Sequence, residues 1–184
     1  VEAISLLEEG HSIKKIDRVM KNFGMPMGPI ELFDEVGLDV AEKVAKILRE
    51  TMADRMAESD LLHNLIEDGR FGKKSGKGFY IYKDGKKTED PEVVKFVTVT
   101  NQTDLNEEQL TRRMLYPMIN EAARCLDEGI AYQPRDIDIG MIFGTGFAPF
   151  RGGLLHYAES EGIAKVNKIL EDFSKQFGDR FMPS

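Results

Sequence analysis

The sequence predicts an all-α fold made of two tandem, divergent copies of one helical unit, with a small extended or hairpin segment near residues 79–87. Three observations predict it. Apolar residues recur at helical three- and four-residue spacings along nearly the whole chain. Strand-forming residues cluster only in "GFYIY", ending at Tyr82. And "EAISLLEEG" at Glu2–Gly10 returns as "EAARCLDEG" at Glu121–Gly129, a self-similarity at long period.

Taken in order, Val1 to Glu9 put Ala3, Leu6 and Leu7 on one helical stripe, closed by Gly10. Ser12 is placed to cap a second helix carrying Ile13, Ile16, Val19 and Met20. "FGMPMGP" breaks it, and Pro29 suits the first turn of the next helix, "IELFDEV", which Gly37 stops. Asp39 and Glu42 have capping-box spacing ahead of "VAEKVAKILRETMADRM". A further helix through Leu61, Leu62, Leu65 and Ile66 ends at Gly69. Asp84-Gly85 is a strong two-residue hairpin signal. Polar residues after it suggest a junction, and we divide the copies at 1–95 and 96–184. The second copy starts as a helix from Asn106 to Gly129. Pro134 opens the next helix, "FGTGFAPFRGG" breaks it, Pro149 restarts it, and the last helix contains Ile163, Val166, Ile169, Leu170 and Phe173.

The repeat continues beyond its opening. "KIDRVMKNFGMPMGP" has a weaker counterpart in "DIDIGMIFGTGFAP", so Asp17 and Asp138 recur at one helical place as candidates to cap or pair with a neighbouring segment. The copies differ at the front. Leu110–Asn120 precede the second "EA", whereas only Val1 precedes the first, and the expectation is that a helix start lies upstream in a longer polypeptide.

Composition excludes several classes. At 184 residues the chain can bury a core. Its 41 % hydrophobic content opposes wholesale disorder, and its formal charge of −7 opposes a nucleic-acid binder. No run of roughly 18 apolar residues could span a membrane. The single cysteine, Cys125, cannot form an internal disulfide and suits a small buried hydrophobe. A cytoplasmic location is the expectation.

The stretch most suggestive of chemistry is "FGKKSGKGFYIYKDGKK", Phe71–Lys87. A phosphate loop needs Gly-Lys followed by Ser or Thr, but Gly76-Lys77 precedes Gly78 and Gly72-Lys73 precedes Lys74. The dinucleotide fingerprint fails as well, with Ile81 where a third glycine belongs. A structural loop with a solvated lysine face is the simpler account, with anion contact the alternative. His11, His63 and His156 lack metal-ligand spacing, and no metal site is expected. His156, near Tyr157 and Glu159, could be a base with an orienting carboxylate or a helical packing residue. Glu31 and Asp34 share a helical turn after a proline start, where a helix N-terminus favours negative charge.

On three landmarks the chain resembles a known family. They are "IDRVMKNFGMPMGPIELFDEVGLDVAEKV" (Ile16–Val44), "DGRFGKKSGKGFYIY" (Asp68–Tyr82) and "RRMLYPMINEAARCLDEG" (Arg112–Gly129). With the closing "GFAPFRGGLLHYAES", they cover nearly the whole chain in the order found in the C-terminal helical region of 3-hydroxyacyl-CoA dehydrogenases, most like the multifunctional fatty-acid oxidation alpha subunits. That helical region has the architecture of the C-terminal domain of 6-phosphogluconate dehydrogenase.

The resemblance implies a parent enzyme that oxidises L-3-hydroxyacyl-CoA to 3-oxoacyl-CoA with NAD in fatty-acid β-oxidation, and leaves open an enoyl-CoA hydratase domain in the same parent. NAD and a catalytic histidine–glutamate pair would belong to an upstream Rossmann domain, so no catalytic residue, bound cofactor or activity is expected of this chain alone. The family's asparagine, from an Asn-Arg pair, would precede Val1, and Arg112-Arg113 stand at the matching place in the second copy, which implies a non-catalytic duplicate. A tandem copy could satisfy, within one chain, the interface by which single-copy relatives dimerise. Met27, Gly28, Pro29, Glu31 and Asp34 are the implied substrate-side residues, Gly28 and Pro29 through the backbone. Implied partners are acyl-CoA and a thiolase β subunit, and the Lys73–Lys87 loop could face CoA. The rival accounts are the helical domain of another hydroxy-acid dehydrogenase, or a structural module docking a thiolase.

Overall fold

A computed structural model describes every residue except Val1, Ala53 and Asp54; the expected helix start at Val1 and the helical run across Ala53-Asp54 lie outside it. The chain folds as two units, one of residues 1–21 and 27–106, the other of residues 22–26 and 107–184. Both are helical, and the described strands form one two-stranded antiparallel sheet.

The first unit contains α1 (Glu2–Glu8), α2 (Ile13–Phe23, except its last two residues), α3 (Pro29–Val36), α4 (Leu38–Met52) and α5 (Leu61–Glu67). Its core collects Leu6, Leu7, Ile16, Val19, Leu61 and Leu65 from the predicted apolar stripes, together with Ile30 and Leu38. The Ser12 hydroxyl accepts the Lys15 amide at 3.3 Å at the start of α2, as expected. Asp39 differs from expectation. α4 already begins at Leu38, and the Val40 and Ala41 amides bond the Gly37 carbonyl, so Asp39 sits inside the first turn and binds Lys74 instead. Its intended capping partner, Glu42, accepts from His63 at 2.9 Å. The hairpin is well formed: β1 (Tyr80–Lys83) pairs with β2 (Lys86–Glu89) across Asp84-Gly85, both with φ above +50° (+53° and +70°). That is the two-residue turn geometry that Asp-Gly supplies.

The second unit contains α6 (Glu107–Asp127), α7 (Pro134–Thr145), α8 (Leu154–Glu161) and α9 (Ile163–Phe177). Pro149 starts only a three-residue 3₁₀ turn, and the next helix begins after Gly152-Gly153. The expected last helix is α9, which contains Ile163, Val166, Ile169, Leu170 and Phe173 and follows α8 after Gly162. Cys125 is half-buried rather than fully so. Arg113 is wholly buried, its guanidinium 3.7 Å from the Phe177 ring centre and 5.0 Å from that of Phe181.

The repeat is sharper in three dimensions than in sequence. In each unit an eight-residue helix, a single glycine and a fifteen-residue helix follow in order: α3, Gly37, α4 and α8, Gly162, α9. The Asp17 carboxylate accepts the Ile30 and Glu31 amides (2.8 and 3.1 Å) at the start of α3. Asp138 does the same for α8, accepting from Leu155 at 2.6 Å and His156 at 3.3 Å. Both aspartates cap a later helix rather than their own. The structural counterpart of Gly28-Pro29 is thus Gly153-Leu154, and not the Pro149 that the sequence suggested.

Candidate functional site

The start of α3 is built by close approach of backbone to carboxylate. Gly28 precedes Pro29 at the helix entry. A Cβ on Gly28 would lie 2.2 Å from the Asp17 carboxyl carbon, so only glycine lets Asp17 reach the α3 amides. Asp17 also accepts the Tyr80 hydroxyl at 2.6 Å, which ties α2, α3 and the hairpin together. Burial pushes the Asp17 carboxyl above its ordinary range, with the Tyr80 hydrogen bond opposing.

Asp34, one turn beyond Glu31, is fully buried and occupies the centre of the glycine-lysine loop. It accepts the Phe79 amide at 2.8 Å and the Tyr80 amide at 2.9 Å. Gly72 and Gly78 close on it: added Cβ atoms would fall 2.4 Å from the Asp34 carbonyl oxygen and 2.0 Å from its Oδ1. The loop that looks phosphate-like therefore encloses a carboxylate of its own chain. Burial raises the Asp34 carboxyl, and the two amides oppose that shift. A cradle already filled by a carboxyl group does not fit the pyrophosphate of a dinucleotide.

The loop's lysines face acidic side chains. Lys73 pairs with Glu35 at 2.7 Å, Lys74 with Asp39 at 2.5 Å and Lys77 with Asp90 at 3.9 Å. Glu31 stands between Lys21 and Lys87, each at 2.6 Å. Burial raises its carboxyl, but the two ammonium groups outweigh burial and hold it below the ordinary value. Beneath the loop, the buried Arg70 bonds Asp90 at 2.7 Å and the Gly78 carbonyl at 2.9 Å. Sequence reasoning did not single out this Arg70–Asp90 pair.

The opposite face of α3 is apolar. Pro29, Leu32, Phe33 and Val36 form one wall of a groove of about 600 Å³ in the first unit. Ala41, Val44, Ala45 and Leu48 of α4 form a second wall, and Ala3 and Ile4 of α1 close one end. Of the predicted site residues, Pro29 lines this groove, Gly28 and Met27 lead into α3, and Glu31 and Asp34 turn towards the hairpin. The His63–Glu42 pair sits at the rim. His156 donates its amide to Asp138, and its ring lies over Gly152, where a Cβ would come within 2.3 Å of it. His11 meets the Thr103 hydroxyl at 3.0 Å. Among the described residues no cluster of three or more His, Cys, Asp or Glu side chains could hold a metal, and no helix is long and apolar enough to cross a membrane.

The family described as "3-hydroxyacyl-CoA dehydrogenase, C-terminal domain" matches residues 1–82 and 110–184. The chain belongs to this family. Among its relatives, the fatty acid oxidation complex subunit alpha of Vibrio cholerae is 44 % identical over 99 % of this chain. The same-named protein of Shewanella putrefaciens is 45 % identical over 99 %. The chain spans about a quarter of each relative's length (26 %).

Solved structures agree on the fold of this 3-hydroxyacyl-CoA dehydrogenase C-terminal region. The dehydrogenase part of multifunctional enzyme 1 from C. elegans superimposes with a TM-score of 0.71 at 27 % identity, covering 95 % of this chain and 41 % of that one. The 3-hydroxybutyryl-CoA dehydrogenase of Escherichia coli gives 0.79 over 100 % of this chain and 55 % of that one, at 22 % identity, a likeness of fold alone.

Proposed function

We propose that the chain is the C-terminal substrate and assembly region of an enzyme that oxidises L-3-hydroxyacyl-CoA to 3-oxoacyl-CoA with NAD in fatty-acid β-oxidation. The observation that carries this reading is the match of 99 % of the chain to fatty acid oxidation alpha subunits. In this reading NAD and the histidine–glutamate pair that takes the hydroxyl proton reside in a preceding dinucleotide-binding domain. Met27, Gly28 and Pro29 shape the acyl-CoA side through the α3 entry, and Glu31 and Asp34 hold that entry rigid. The copies divide as 1–95 and 96–184, the second serving assembly, including docking of a thiolase β subunit.

The test uses absorbance of NADH. The pure 184-residue chain, given NAD and L-3-hydroxybutyryl-CoA, forms none. The longer polypeptide that contains it forms NADH, and Met27→Ala there raises KM with kcat unchanged. Turnover by the 184-residue chain, or preference of the longer polypeptide for a free hydroxy acid over its thioester, would overturn the proposal.

A further inference from the structure

Asp-Gly occurs twice in the chain, and the fold treats the two pairs differently. At Asp68-Gly69 both groups are engaged. The carboxylate accepts the guanidinium of Arg70, itself 1 % exposed, at 2.9 Å, and the Gly69 amide donates to the Ile66 carbonyl at 2.8 Å. Asp84-Gly85 stands free at the hairpin tip. Both residues are exposed, and strand pairing stops beside them at Lys83 with Lys86. No atom lies within 4 Å of a Cβ added to Gly85, and among the described residues the Asp84 carboxylate has no hydrogen-bond or ion-pair partner.

We propose that Asp84-Gly85 is a site of spontaneous isoaspartate formation, and that the product withdraws Lys87 from α3. The Gly85 nitrogen, on losing its proton, attacks the side-chain carbonyl carbon of a protonated Asp84. The carboxyl hydroxyl leaves with the amide proton as water, and a five-membered succinimide closes. Water then opens the ring. Opening at the main-chain carbonyl leaves the backbone running through the side-chain carbon, as isoaspartate, with no net change in composition. Glycine favours the closure because no side chain obstructs the attacking nitrogen. An exposed turn also opens locally at little cost, which frees the backbone for the attack.

The consequence follows from register. β1 and β2 pair Tyr80 with Glu89 and Tyr82 with Lys87 across a two-residue loop, and loop length fixes hairpin register. Isoaspartate adds one backbone carbon to that loop. Lys87 holds Glu31 of α3 at 2.6 Å and lies 4.6 Å from the Tyr80 ring centre, so a shift of β2 takes it away and leaves Glu31 to Lys21. The modification is independent of the reaction proposed above.

The experiment ages the 184-residue chain in warm neutral buffer. Isoaspartate is counted with an isoaspartyl methyltransferase and labelled S-adenosylmethionine, and located by mass spectrometry of the cleaved chain. Label accumulates at Asp84, while the mass of the unlabelled chain stays constant. At Asp68 it accumulates at least about tenfold more slowly, the rate equivalent of one charged hydrogen bond that must break first. Asp84→Gly, whose Gly-Gly pair still makes the turn, takes no label there. The aged fraction melts below the fresh chain, and by a smaller difference when Lys87→Met has already removed the Glu31 contact. Equal rates at Asp68 and Asp84, or no label at Asp84, would overturn the site. Equal melting of aged and fresh chains would overturn the withdrawal of Lys87, as would an undiminished difference in the Lys87→Met chain.

Discussion

Asp34 Oδ1 stands 2.8 Å from the Phe79 amide, inside a loop whose glycines leave room for nothing larger than hydrogen at Gly72 and Gly78. That contact makes the most conspicuous motif in the sequence a clamp on α3. The Asp17 carboxylate holds the start of the same helix, so both ends of α3 are pinned by buried carboxyl groups.

Gly78→Ala should destabilise the chain by about 1–3 kcal/mol, the usual cost of overpacking, because its Cβ meets Asp34 and the Gly72 backbone at once. Gly140→Ala in α7 is the control. No neighbour lies within 4 Å of its added Cβ, and helix propensity favours alanine by up to about 1 kcal/mol. Urea unfolding of the two variants should shift in opposite directions.

Tyr80→Phe removes a 2.6 Å hydrogen bond to a buried carboxylate and should cost about 1.5–3 kcal/mol. A double-mutant cycle with Asp17→Asn should show coupling, since both changes act on one bond. Strict additivity would place the energy elsewhere.

Glu31 sets a pH dependence with a definite sign. Its carboxyl is held below the ordinary value in the folded state, so its stabilisation is complete above the unfolded pKa and is lost as pH falls through the folded one. The wild-type advantage over Glu31→Gln should hold at neutral pH and vanish on acidification below the ordinary glutamate value of 4.5. Asp34 acts oppositely: its raised pKa makes stability decline as pH rises through the window above the ordinary aspartate value of 3.8. Urea midpoints measured across that range separate the two.

Asp138→Ala should weaken the start of α8 by about 0.5–2 kcal/mol, as removal of a cap does, while Asp138→Asn keeps an acceptor and costs less. Amide hydrogen exchange at Leu155 should accelerate in the alanine variant.

Much of this was legible because local chemistry decides it. Gly10, Gly37 and Gly69 end helices at positive φ, Pro29 and Pro134 begin them, and Asp84-Gly85 turns the hairpin. Where two local signals compete, the sequence misleads. Asp39 has capping-box spacing, yet Gly37 ends one helix and its carbonyl starts the next, so Asp39 falls inside α4 and is free to pair with Lys74. Pro149 resembles Pro29, yet the capping aspartate reaches α8 five residues later than that match predicts.

By itself the sequence determined the helical content, the duplication and the family, since helical periodicity, stop signals and motif order are properties of neighbouring residues. The recurrence of Asp17 and Asp138 even marked the capping groups. Only the tertiary structure decided what the glycine-lysine loop encloses, which helix each aspartate caps, and where the apolar face of α3 and α4 stands open. Those depend on contacts between residues far apart in the chain, such as Asp17 with Tyr80 and Asp34 with Phe79, and spacing along one segment carries no record of its partner.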